Sequence, residues 1–176
     1  MIAIIITSAI VIAIFITVFI IYHNKFKFAI IKLDKAEEDI NMYLNKKYEL
    51  LDRTRPIVKK ELKVEDFMIN IDNYDPESSN IDNHNLLKSC YNELFKVLDD
   101  HEKLLKSKTL VKILDELNDN EEDVIGSIKF YNDTVVTFNE LVSTFPSSVV
   151  ALLSRYKRLE FYSNEKREIF EILNTK

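Results

Sequence analysis

The sequence predicts an all-α protein: an N-terminal transmembrane helix, then an antiparallel four-helix-bundle-like domain with long helices. Three observations predict it. Residues 2–22, IAIIITSAIVIAIFITVFIIY, contain no charge over twenty-one positions. Apolar residues further on recur at alternating steps of three and four. One glycine and three prolines in 176 residues leave little material for tight hairpin turns, which argues against an all-β fold.

As a helix the uncharged run spans about 31 Å, which matches a hydrocarbon core of about 30 Å. Fourteen of its residues are Ile, Val or Phe. A cleaved signal would have a basic n-region, a shorter apolar stretch and a small-residue cleavage site, and this run has none of these. It reads as an uncleaved anchor, residues 1–22, in contact with the lipid bilayer through 2–22. Lys25, Lys27, Lys32 and Lys35 come directly after it, and basic residues favour the cytoplasmic side. The expected topology is a single-pass plasma-membrane protein, N-terminus outside, with a cytoplasmic bundle domain over 23–176. A lone cysteine, Cys90, agrees with a reducing compartment.

The expected helices are taken in chain order. Residues 25–54 continue the anchor helix, with Ile40, Leu44, Leu50 and Leu51 buried. Pro56 is expected to end it, since a proline disfavours helix at the residue before. A shorter segment then buries Val58, Leu62, Met68 and Ile71. Residues 73–85, NYDPESSNIDNHN, have turn chemistry and read as a loop. Leu87, Tyr91, Leu94, Leu98, His101 and Leu105 form the next stripe, and Ser107 or Thr109 caps the helix after it.

The strongest pattern joins Leu110, Leu114, Leu117, Glu121, Val124, Ile128, Tyr131, Val135, Phe138, Val142 and Phe145 along one seam of a helix about 54 Å long. Pro146 closes it. Ser148 is expected to cap a last helix burying Val149, Leu152, Tyr156 and Leu159, with the stripe resuming at Phe170 and Leu173 beyond Ser163–Asn164.

Function classes narrow quickly. The net charge of −5 lies wholly in residues 23–176, so no nucleic-acid partner is expected. One glycine excludes phosphate-binding and dinucleotide-binding loops. No histidine stands in the Glu-x-x-His or H-E-x-x-H spacing of bundle and protease metal sites, and no cofactor is expected. Cys90 reads as a core residue and His101 as a hydrogen-bonded core histidine. Glu121 interrupts an apolar seam, so it must pair with a base or backbone donor; the plain reading is an interhelical ion pair that fixes register. The alternative is a buried polar site on Glu121 and His101 that binds a metal or small ligand. Ala3, Ser8, Ala9 and Ala13 allow close packing of the anchor with a second copy, without a G-x-x-x-G motif.

Within the long helix, Tyr131-Asn132-Asp133 is echoed by Phe138-Asn139 and closed by Phe145-Pro146. Here the chain resembles the LemA family. The matching positions are Glu121, Val124, Tyr131, Asn132, Asp133, Val135, Phe138, Asn139, Phe145, Pro146, Val150 and Ala151. Upstream, Asp39-Ile40, Leu44 and Lys46-Lys47-Tyr48-Glu49-Leu50-Leu51 resemble a second family segment. The arginine usual in the family before the Tyr-Asn pair is Ile128 here, which leaves Glu121 without that neighbour on the helix. The resemblance implies a membrane-anchored antiparallel bundle and supplies no catalytic residue. The expected function is a non-enzymatic scaffold or adaptor with an unidentified protein partner. Its expected contact is the edge carrying Asn132 and Asn139 with the Phe145–Pro146 corner.

Overall fold

A computed structural model describes residues 1–162. Its elements are helical, with no strand among the described residues: α1 (Ile2–Leu62), α2 (Asn80–Asp100), α3 (Lys108–Ser143) and α4 (Ser147–Ser154), with short 3₁₀ turns at Ile69–Asn73 and Glu102–Lys106. The described residues form two compact units, one of residues 1–36 with 130–162 and one of residues 37–129.

α1 explains most of the architecture. Residues 2–17 are exposed without interruption, and the apolar run they belong to is long enough to cross a membrane. From Phe26 the burial becomes periodic: Phe26, Ala29, Leu33, Ala36, Ile40, Leu44, Lys47, Leu51, Thr54 and Val58. Steps of three and four keep one edge inward. The seam runs past Pro56, and so does the helix, contrary to the sequence expectation. An interior proline costs about 3 kcal/mol. Here Thr54 and Val58 are both fully buried, so packing on either side of Pro56 outweighs the local preference. Arg55 adds a bidentate pair to Asp72 on the first 3₁₀ turn, at 2.7 and 3.1 Å. That guanidinium holds the Asp72 carboxyl below its usual range.

In the unit of residues 37–129, α3 runs antiparallel to α1. Asn120 Nδ2 donates to the Tyr43 carbonyl at 3.1 Å, and Arg53 lies 3.5 Å from Glu116. The expected loop at 73–85 is half helix, because α2 already begins at Asn80. Ser79 Oγ accepts from the Ile81 N–H at 3.3 Å, and the buried Asn83 donates to the Asp75 carbonyl at 2.7 Å. Residues 74–79 form the turn that the run predicts, and 80–85 are the capped first turns of α2. α2 then buries Leu87, Cys90, Leu94 and Leu98, with burial pushing the Cys90 thiol up. The helix stops at Asp100, and the 3₁₀ turn shifts the frame by one, so Leu104 is buried and Leu105 exposed. Ser107 Oγ accepts from the Leu110 N–H and starts α3.

In the other unit, Phe26, Ala29 and Leu33 pack with Val135, Phe138, Val150 and Ala151. Phe26 meets Phe138 edge-on with centroids 5.4 Å apart. α4 departs from expectation. It is bent 93° from α3, lasts eight residues and closes at Arg155 in the left-handed region. The bend turns Ser147, Val150 and Ala151 inward and leaves Val149, Leu152 and Leu159 exposed, so the expected burial of those three is corrected; Tyr156 is half-buried. The expectations at Phe170 and Leu173 lie outside the described residues.

Candidate functional site

Two polar clusters interrupt the apolar seams, one in each unit. The first centres on Lys47. Its position on α1 is a seam position, and its side chain is 1 % exposed. A buried ammonium must be paired. Lys47 Nζ donates to Glu121 Oε2 on α3 and lies 5.0 Å from the centroid of the Tyr91 ring on α2. Glu121 is 24 % exposed, so water reaches one side of the pair. The Tyr91 hydroxyl donates to Asn118 Oδ1 at 3.1 Å, and desolvation, then the Glu121 carboxylate, pushes its pKa up. Asn120, beside Glu121 in sequence, is fully buried; its amide nitrogen is used and its oxygen has no partner among the described residues.

Glu121 therefore has the base its chemistry requires, supplied by α1 across the helix pair rather than by its own helix. Lys47 was missed as a site residue, although it stands in the upstream family-like segment. A lysine falling on an otherwise apolar three–four stripe was the readable signal. His101 does not join this cluster. It is exposed at the C-terminal end of α2 (φ −138°, ψ 67°), which corrects its reading as a core histidine. Glu121 lies thirteen residues into α3, about 20 Å along that helix from its start. Among the described residues, no three His, Cys, Asp or Glu side chains group as a metal site.

The second cluster is the asparagine edge. Asn132 is buried, and its Oδ1 accepts from the Tyr162 N–H at 2.8 Å. Asn139 makes a matched pair with Leu159: Nδ2 donates to the carbonyl at 2.9 Å, and Oδ1 accepts from the N–H at 2.8 Å. Arg158 donates to Ser143 Oγ at 2.7 and 3.1 Å. Positions 143, 139 and 132 of α3 thus meet 158, 159 and 162, so the segment after α4 runs back along α3. Seven helical residues rise about 10.5 Å, and three residues of stretched chain reach about 10 Å; the two spacings match. Both asparagine side chains are engaged by the chain's own backbone.

The aromatic signature residues frame this edge. Tyr131 meets Tyr162 edge-on at 6.0 Å, and burial, then Tyr131, pushes the Tyr162 pKa far up. Phe138 is buried against Phe26 and Tyr156. Phe145 leaves the seam: at the corner with cis-Pro146 it is 84 % exposed.

The arrangement orders backbone, through Asn132 and Asn139, and pairs charge, through Lys47 and Glu121. No curated protein and no solved structure matches the chain. The model of the LemA family matches residues 36–172, which takes in both clusters, α2, α3, α4 and the part of α1 from Ala36 on. The chain belongs to the LemA family.

Proposed function

We propose that the chain is a single-pass membrane protein whose helical bundle serves a non-catalytic role, as a scaffold or adaptor held at the plasma membrane on the cytoplasmic side. The observation that carries this reading is the continuity of α1. One helix passes from a wholly exposed apolar run into the seam of the bundle without a break. A continuous helix of this kind joins the apolar run to the bundle with no loop between them. The four lysines just after the run support the cytoplasmic orientation. The internal engagement of Glu121, Asn132 and Asn139 supports structural roles for the polar signature, which leaves recognition to the outer surface.

Two measurements test it. Alkaline washing should leave the full chain in the membrane fraction and release a variant carrying Ile10→Arg and Ile14→Arg. Release of the unchanged chain would refute the anchor. Photo-crosslinking in cells from the exposed Ile125 on α3 should trap one discrete protein repeatedly. A featureless pattern there and at the exposed Ile81 of α2 would count against a scaffold.

A further inference from the structure

α4 carries apolar residues on two opposite faces. Ser147, Val150 and Ala151 face inward, while Val149, Leu152 and Leu153 share the opposite face. Leu152 is 78 % exposed and Leu153 58 %, with Phe145 at the corner before them. The outward face of α4 carries only apolar side chains, and such a face belongs against an apolar surrounding. Its place in the fold says which one. Tyr156, two residues past α4, stacks on His23 at 6.4 Å and on Phe26 at 4.7 Å, and Phe19 stacks on His23 in turn. Phe19 belongs to the apolar run and His23 directly succeeds it, so α4 sits beside the end of the span.

Charge agrees. Residues 1–36 with 130–162 carry seven Lys and Arg against four Asp and Glu, a net +3. Residues 37–129 carry fourteen against twenty-two, a net −8. The acidic residues gather in the second set, which leaves the residues that carry the span net positive, and Arg155, Lys157 and Arg158 come directly after α4. Apolar residues facing outward with cations alongside are the arrangement of an interfacial helix on an anionic surface.

We propose that α4 is a second membrane contact: an interfacial helix that lays Phe145, Leu152 and Leu153 into the acyl boundary and sets Arg155, Lys157 and Arg158 among anionic headgroups. The inference rests on the anchor reading above. It assigns the exposed Phe145–Pro146 corner to lipid rather than to a protein partner. Held at the span and again at α4, the unit that carries both would be fixed in rotation as well as in depth.

The test uses the full chain with Cys90→Ser, reconstituted in phosphatidylcholine–phosphatidylglycerol vesicles at high lipid dilution. A polarity-sensitive fluorophore is placed in turn at Leu152→Cys and Phe145→Cys, at Ile12→Cys inside the span, and at Ser78→Cys on an exposed loop. Lipids carrying a nitroxide near the headgroup or deep in the chain serve as quenchers. The expected result is blue-shifted emission at 152 and 145 and loss of most of it to the shallow quencher. Position 12 should be lost to the deep quencher and position 78 to neither. Probes at 152 and 145 as unquenched as 78, with 12 quenched, would overturn the interfacial helix and leave the anchor standing. Blue-shifted but unquenched emission at 152 would mean that protein covers α4, and would also overturn it. An unquenched probe at 12 would remove the anchor and this inference together.

Discussion

Removing the charge of Glu121 should harm the fold more than removing the charge of Lys47, although the two form one ion pair. The reason is the difference in burial. Glu121→Gln leaves an ammonium that is 1 % exposed, flanked along its seam by Leu44 and Leu51 and faced by the Tyr91 ring. An uncompensated buried charge costs about 3–5 kcal/mol, and the partial access of water at position 121 places this case near about 3 kcal/mol. Lys47→Met keeps the length of the stem and leaves a carboxylate that is 24 % exposed and free to hydrate, at a cost of about 1 kcal/mol. The double variant has no stranded charge and should return to within about 1 kcal/mol of the parent, giving a coupling of about 3 kcal/mol. Urea unfolding of the full chain in mild detergent, monitored by helical circular dichroism, reads all four corners of the cycle. Equal costs for the two single variants would refute the burial argument. A double variant that costs the sum of the singles would show that the side chains do not act as a pair.

Three further outcomes are expected. Asn132→Ala strands the Tyr162 N–H in a buried place, at about 2 kcal/mol, whereas Asn139→Ala loses two bonds in an exposed one, at about 1 kcal/mol. Each should speed amide exchange at Leu159 and Tyr162, and unchanged protection would contradict the clamp. Gly126 lies on an exposed stretch of α3 with open space where a Cβ would stand, so Gly126→Ala should stabilise by about 0.5–1 kcal/mol and raise the melting temperature. Burial raises the pKa of Tyr74, Tyr91 and Tyr162 above the ordinary 10.0. Each hydroxyl keeps its proton to higher pH folded than unfolded, so this stabilisation is complete below about pH 10 and is lost as pH rises through the folded values. Tyrosinate absorbance should therefore rise together with unfolding; full ionisation with the helices intact would contradict it.

The long seams were legible because a three–four repeat over many turns is a strong signal, and Ile40, Leu44, Leu117, Val124, Val135 and Phe138 are buried as the spacing predicts. The departures are local. Pro56 and the polar residues 80–85 have clear preferences of their own, and tertiary packing or a single capping serine decides otherwise. At α4 the periodicity continues in sequence while the chain turns by 93°, so the stripe is right in spacing and wrong in face. The candidate site was half legible. Glu121 announces its need for a base, but Lys47 is seventy-four residues away, and only the fold brings the pair together. Asn132 and Asn139 are visible as one edge, whereas the backbone at 158–162 that they hold carries no sequence mark.

The side of the membrane on which the bundle lies is the central claim. Cys90→Ser with Ser78→Cys places one thiol on an exposed loop and removes the buried one. Intact and lysed cells are then treated with a membrane-impermeant thiol reagent. Labelling only after lysis is the predicted result and puts the bundle on the cytoplasmic side of an anchored chain. Labelling of intact cells would contradict it and turn the bundle outward.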